Sequence, residues 1–429
     1  MQKSPADIAL TIIINALRFT LALVFAFSGF VKAVDPMGTI YKMADYAEAF
    51  DLSLPFGLLF AGAVVLIICE YVMGICLFFG LYRRFYLSAM IAFLAVVTPL
   101  TLYFALYNPV SDCGCFGDVV VLTNWQTFIK NVVLLVMALA VLLGRKRVCR
   151  IISPHSQWLV FVYVVASIVA FIPYNLRHLP TVDFRPYHIG ANIIESMTVS
   201  EDATPDEYET LFILEKDGEV DAFTFDNYPD SSWTFVSRES RLVSKGDVPA
   251  ITDFYLSSLD GEDVTWDVLE HPGYTFLMIA HNLEYTSEGM LDVINDLFDY
   301  AKVNDVPFYM VTSSGRQAID AWTESTGASY PYLLADETLL KTIVRANPGL
   351  LILEDATVIG KWSAADMPRD AQLTLPIEQN DVLRQSTRYM QGRIAKVALW
   401  MFLPLLLLLV MDKKKVNKKD ISSINNLKT

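Results

Sequence analysis

Cysteine is scarce in this chain and confined to one end. Its five thiols, Cys69, Cys76, Cys113, Cys115 and Cys149, all fall within the first 149 of 429 residues. The remainder therefore has neither a disulfide framework nor a thiol nucleophile. No Cys/His set has the spacing of a zinc site, so no metal is expected. Charge is scarce too: 19% of residues are charged, against about a quarter in a soluble globular protein, which argues against a wholly soluble chain. Basic residues are few where acidic ones gather. Residues 174–393 hold 15 Lys+Arg and 37 Asp+Glu, a net charge of −22, whereas the rest holds 18 and 10, a net charge of +8. So acidic a segment repels phosphate, and no nucleic-acid partner is expected.

Apolar residues, at 54%, are what the chain has most of. Residues 11–31, 56–81, 85–106, 125–143, 157–173 and 395–411 each approach the ~20 residues that cross ~30 Å of hydrocarbon. The last run is short and needs Lys396 and Lys413 to snorkel. Core helices of a large soluble protein are the alternative, but charges clustered between six such runs argue for membrane spans, with the lipid bilayer as first partner. The first run is too long for a cleaved signal, carries Arg18, and ends on Lys32-Ala-Val-Asp35, a poor cleavage site. Arg83-Arg84, then Arg145-Lys146-Arg147 with Arg150, then Lys413-Lys414-Lys415 with Lys418 and Lys419 follow the second, fourth and sixth runs. By the positive-inside rule these ends are cytoplasmic. Both termini are then inside a bacterial inner membrane, while residues 32–55, 108–124 and the acidic insert lie outside, in the periplasm.

The insert changes period along its length. Residues 183–265 read as strands, with 209–214 and 220–225 flanking a Lys216-Asp217-Gly218 hairpin turn. A βα alternation follows: strand 274–280, then helix 287–303 with Leu291, Ile294, Leu297, Phe298 and Ala301 on one face. Strand 306–312, helix 316–325, strand 332–334 and helix 337–344 come next, then a hairpin of 349–353 and 358–362. Residues 368–393 read as surface polypeptide returning to the membrane. This order, with Asn347-Pro348-Gly349 opening the last hairpin, resembles the thioredoxin fold over about residues 247–367. The resemblance implies a cis proline at Pro348, facing an active-site loop. Where that family carries Cys-x-x-Cys, this chain reads Ala280-His-Asn-Leu-Glu-Tyr-Thr-Ser-Glu288. Without a thiolate the domain cannot exchange disulfides alone, which suits a binding or scaffold module. His281 reads as a structural residue before a functional replacement.

The first spans carry a second resemblance. Arg18-Phe19 begins a run that ends Phe27-Ser-Gly-Phe-Val-Lys-Ala-Val-Asp-Pro36; Glu70 sits inside the second span and Gly80-Leu-Tyr-Arg-Arg84 closes it. Asp112-Cys-Gly-Cys-Phe-Gly-Asp118 occupies the outer loop after the third. Over about residues 16–143 this resembles the DoxX/MauE group of four-helix membrane proteins. MauE is associated with maturation of a disulfide-rich periplasmic dehydrogenase subunit and DoxX relatives with quinone-coupled sulfur oxidation. The resemblance thus implies exported protein partners and a quinone as candidate cofactor.

Two sets of residues are candidates for function. Cys113 and Cys115 face an oxidising compartment; with one Gly between them they close only a tight, strained ring, and strained disulfides are readily reduced. That suits exchange with a partner's thiols, against a static loop or packed free thiols. Cys69 and Cys76, seven apart on one helix face, read as small core residues. Arg18 and Glu70 are charges inside spans, which are costly and usually paired. Their depths, roughly 10 and 16 Å from the cytoplasmic ends at ~1.5 Å per residue, suggest an Arg18–Glu70 ion pair, or else a quinone or proton site at Glu70.

The fold expected is a polytopic α-helical bundle of about six spans plus an extracytoplasmic α/β thioredoxin-like domain with a β-rich N-terminal extension. Residues 1–150 form the four-helix membrane domain, 151–176 a fifth span, 177–250 the strand-rich segment and 251–370 the thioredoxin-like domain. A linker at 371–394, a last span at 395–412 and a basic cytoplasmic tail at 413–429 complete it. The function expected is assistance to thiol oxidation or maturation of exported proteins. A non-catalytic scaffold and a quinone-linked oxidoreductase subunit are the competing classes.

Overall fold

A computed structural model describes residues 4–426, apart from 111, 200–206, 217, 218, 224–226, 228, 230–232, 245–247 and 386. Helix α1 (Pro5–Val34) starts where the Ser4 hydroxyl accepts from the Asp7 N–H at 3.2 Å, satisfying a donor that a helix start leaves free. Asp35 separates α1 from α2 (Pro36–Glu48) and caps it by accepting from the Gly38 N–H at 3.0 Å. Helix α3 (Phe56–Phe79) stops at Gly80, whose φ of +73° suits glycine. Helices α4 (Arg83–Tyr107), α5 (Asn124–Leu143, opened by a Thr123/Gln126 capping box) and α6 (Gln157–Arg177) follow, then the one-turn helices α7 (Ile193–Met197) and α8 (Thr265–Leu269). The last long helix, here α12 (Thr387–Asn426), contains an apolar stretch at Met390–Lys413. Among the described residues six helices are long and apolar enough to cross a membrane, and the protein is a multi-pass membrane protein.

Helices α1 and α3 pack antiparallel at close range. A Cβ on Gly29 would overlap the Tyr71 backbone, and one on Gly74 the Ala26 backbone. Small residues let helices approach like this where lipid supplies no hydrophobic drive. Around the contact Leu21, Phe25, Ile67, Leu77, Leu87, Met90 and Val164 are buried, while Val65, Val96, Val136 and Leu403 are exposed on the outside of the helices. The segments after α3 and α5, the one before α6 and the far part of α12 meet at one end: Arg83 donates to the carbonyls of Arg145 (3.1 Å) and Val148 (2.6 Å), and Asp412 accepts from the Ser153 N–H (2.8 Å) and Ser156 hydroxyl (2.6 Å).

Beyond the helices stand two sheets. The smaller has order β2-β1-β3, with β1 (Glu207–Lys216), β2 (Glu219–Phe223) and β3 (Thr234–Ser244) all antiparallel. The hairpin expected near residue 217 matches the β1–β2 pair; its turn lies outside the described residues. The larger sheet holds β4 (Tyr274–Ala280), β5 (Phe308–Thr312), β6 (Tyr332–Leu334), β7 (Gly349–Glu354) and β8 (Thr357–Ser363), in the order β6-β5-β4-β7-β8. β4, β5 and β6 are parallel; β7 runs antiparallel to both neighbours. β4 is apolar from Phe276 to Ala280 because both faces are covered there. Leu277 and Ile279 face one core with α11 (Glu337–Ile343), and Phe276 and Met278 face another with α9 (Leu291–Val303) and α10 (Arg316–Thr326).

Two segments sit differently from their sequence expectation. Leu179, Tyr187 and Ile193, placed with the strand-rich segment, are buried in the first core of the large sheet. Asp183 anchors them there, taking Lys361 of β8 at 2.6 Å and Arg185 at 2.8 Å. Residues 371–394, expected as a surface linker, bury Ile377 and Leu383 in the second core, because isolated apolar residues carry no period by which sequence reading detects them.

Candidate functional site

The loop between α4 and α5 brings Cys113 and Cys115 together, with their sulfurs 3.3 Å apart. The reversal between them falls on Gly114, at φ +54°. Asp112 holds it from the outside, accepting from the Gly114 N–H at 2.8 Å and from Lys42 of α2 at 2.8 Å. Tyr46, also on α2, donates its hydroxyl to the Cys113 carbonyl.

From the helix side the loop is met by three buried polar groups. The Lys32 ammonium donates to Ser28 Oγ (2.7 Å), Glu70 Oε2 (2.8 Å) and the Cys115 carbonyl (2.6 Å). All three of its protons thus have an acceptor. The Ser28 hydroxyl lies 2.8 Å from Glu70 Oε2 and 2.7 Å from the Cys115 carbonyl, and its single proton serves one of them. A cavity of about 50 Å³ opens beside Cys115, lined by Glu70, Lys130, Asn131, Phe25 and Phe93. Lys130 sits 4.5 Å over the Phe116 ring. The hydrogen bond from Cys113, with Lys130 and Lys32 nearby, holds the Cys115 thiol below the ordinary cysteine range despite burial. The same pairing, with burial, pushes Cys113 up. The two thiols are therefore chemically unequal.

Glu70 does not pair with Arg18, as depth alone had suggested. The Gly29/Tyr71 and Gly74/Ala26 contacts fix an antiparallel register that sets Arg18 level with residue 82, twelve residues from Glu70, or about 18 Å along the helix. Arg18 is fully buried at the basic end, where it donates to the Cys149 carbonyl and lies 4.1 Å over the Phe19 ring. Its Nε and Nη2 have no hydrogen-bond partner among the described residues. Lys32, one turn past Gly29, is what reaches Glu70. Sequence reading passed over Lys32 because it lies at a span end, where lysines ordinarily snorkel; the two glycines were the signal that could have set the register. Cys69 is exposed on α3 and Cys76 buried, so the two do not act together.

The α/β unit faces the same loop. Arg345, beyond α11, meets Asp35 at 3.0 Å and Asp118 at 3.5 Å. Lys341 and Arg345 lie 4.8 and 5.4 Å over the Tyr41 ring. A cleft of about 570 Å³ separates the two parts, lined by Lys32, Asp45, Gly114, Asp118, Lys341 and Arg345. Three residues further on, the Asn347–Pro348 bond is cis, and the Asn347 amide donates to the Asn282 carbonyl at 2.8 Å. His281 is buried, its Nε2 2.7 Å from the Val344 carbonyl, and burial lowers it to about 4; it is a neutral structural link.

Residues 10–144 match the family model described as methylamine utilisation protein MauE, and residues 208–245 match a domain of unknown function (DUF8463). The first match takes in roughly a third of the chain and holds Ser28, Lys32, Glu70, Cys113, Cys115 and Lys130. A search of curated proteins finds no match.

Proposed function

We propose that this protein assists the oxidation or maturation of exported proteins, with Cys113 and Cys115 as its exchange pair. The observation that carries the reading is the contact of the two sulfurs at 3.3 Å, on a loop that looks into the cleft beneath the α/β unit. Basic segments gathered at the opposite end support an orientation with both termini cytoplasmic and the loop outside a bacterial inner membrane, where disulfides persist. The strand order and the cis bond at Pro348 support a thioredoxin-like reading of the α/β unit. Lacking a thiol, that unit holds the client while the loop does the chemistry. The family match, whose description refers to methylamine utilisation, supports a maturation role.

Starting from the Cys113–Cys115 disulfide, a client thiolate attacks the Cys113 sulfur. The S–S bond breaks and its electron pair leaves on Cys115, the sulfur of lower proton affinity and so the better leaving group. The client's second thiolate then attacks the client sulfur of the mixed disulfide and expels Cys113. The client leaves as a disulfide and the loop as a dithiol. Restoring the loop sends two electrons and two protons to an acceptor. A membrane-soluble quinone, reduced to the quinol, would balance that step; the cavity of about 50 Å³ beside Cys115 is too small to enclose its ring, so such an acceptor would have to meet the loop from outside it.

The test is the oxidation state of exported proteins in cells carrying Cys113→Ser or Cys115→Ser. Client thiols should accumulate in both, because neither variant can hold the loop disulfide that a client thiolate must attack. If client oxidation is unchanged by both, the exchange reading fails and a non-catalytic scaffold takes its place.

A further inference from the structure

The charges buried beneath the Cys113/Cys115 loop are not needed to build a disulfide. Lys32 and Glu70 are each only 6% exposed. An ion pair placed so deep carries a desolvation cost that packed apolar residues would avoid, so stability does not account for it. Nor does snorkelling, since the ammonium is directed to acceptors inside the protein. We propose that Lys32, held by Ser28 and Glu70, is a positioning residue for Cys115: it clamps the Cys115 carbonyl and keeps a fixed positive charge beside the sulfur that leaves as thiolate. The proposal rests on the exchange reading above and names one buried contributor to the inequality of its two sulfurs, beside the Cys113 hydrogen bond and Lys130.

The geometry supports a rigid device. Each ammonium proton has an acceptor within 2.6–2.8 Å, one of them the cysteine's own carbonyl. Its stem rises from the part of α1 that Gly29 holds against Tyr71. Across the loop, Asp112, Lys42 and Tyr46 fix the Cys113 side. The loop is thus clamped on two faces, with Cys115 on the face carrying the buried cation. Lys130, half-buried over the Phe116 ring, acts on the same sulfur more strongly by charge and also hydrogen-bonds it; Lys32 is the buried and tethered one of the two cations, so its charge is less open to screening. Fixed charge costs no reorganisation when the thiolate forms, which is where such groups act most strongly.

The experiment uses the full chain in detergent with Cys113→Ser, so that one loop sulfur titrates beside a hydroxyl that can still donate to it. The rate of Cys115 alkylation by iodoacetamide is followed against pH. Replacing Lys32 by Met should move the half-point up by about one pH unit or more, the size expected for removing an opposite charge within ~4–6 Å. Lys32→Arg should largely restore it, and Ser28→Ala should raise it less. A Lys32→Met profile that overlays its parent, or moves down, overturns the proposal. Should Lys32→Met not accumulate, Lys32→Gln, which can still donate to Glu70 and to the Cys115 carbonyl but carries no charge, has the same expectation and the same refutation. Client oxidation is not read here, so failure of the exchange reading and failure of the positioning role are separate results.

Discussion

Removing either Lys32 or Glu70 leaves the other charged in a low-dielectric interior, which costs about 3–5 kcal/mol at buried pairs in general. Lys32→Met and Glu70→Leu should each lower thermal stability sharply, and the double variant less than the sum of the two; an additive cycle would show that the 2.8 Å contact carries no coupling. His281 makes a pH prediction whose sign follows from its environment. Its folded value of about 4 lies below the unfolded value near 6.5. Between those values the unfolded chain binds more protons, so stability is lost as pH falls through that window, by up to about 3 kcal/mol. Hydrogen-exchange protection factors in β4 and β5 of the full chain, taken relative to the intrinsic rate at each pH, should fall between pH 6.5 and 4, and His281→Gln should flatten that slope. At this scale the cysteine pair was legible in the sequence, because two thiols one residue apart are neighbours in any fold. The Lys32–Glu70 pair was not, since 38 residues separate its members and only helix register joins them.

Helices α1 and α3 act as one element through Gly29 and Gly74, where any side chain meets the partner's backbone. Gly29→Val should force the helices apart, at a cost of about 1–3 kcal/mol or more, and carry Lys32 away from Cys115. The expected readout is lower thermal stability together with slower Cys115 alkylation; normal alkylation would mean that the close packing does not set the loop geometry. A second element-scale contact is the Arg345 bridge to Asp35 and Asp118. Cysteines placed at Tyr41 and Lys341 should cross-link efficiently, and much less so with Arg345→Ala. An undiminished yield would show that the cleft is held by other contacts. Element boundaries were read well where the period was clean: β4 and β6 fall at the residues expected from sequence, whereas α9 begins four residues late, behind a 3₁₀ turn at Glu288–Met290. Helix α2 was passed over as an outer segment because its amphipathic stretch is only 13 residues long.

At the scale of the whole molecule, topology is the property most open to direct test. Reporters fused after Arg84 and Arg147 should read cytoplasmic and one near Asp260 should read outside. A cytoplasmic signal at Asp260 would overturn the proposed orientation, and with it the oxidising surroundings that the exchange chemistry requires. The contacts across the cleft include the ion pairs of Arg345 with Asp35 and Asp118, so the α/β unit should separate from the helices more readily as salt screens them. The Tyr41–Lys341 cross-link yield should therefore fall with ionic strength.

Composition and periodicity determined by themselves that this is a multi-pass membrane protein with an acidic α/β insert, because twenty-residue apolar runs and alternating strands and helices are local patterns that no packing partner is needed to write. They also determined that the insert carries no thiol. What only the tertiary structure decided is which charges meet. Arg18 was placed at the basic end and Glu70 beside Lys32 by the depth at which two glycines let α1 and α3 touch. The Cys113/Cys115 loop was set beneath Arg345 by contacts spanning more than two hundred residues. Such pairings depend on register and crossing geometry, which arise from the sum of side-chain volumes at an interface and leave no repeating trace along the chain.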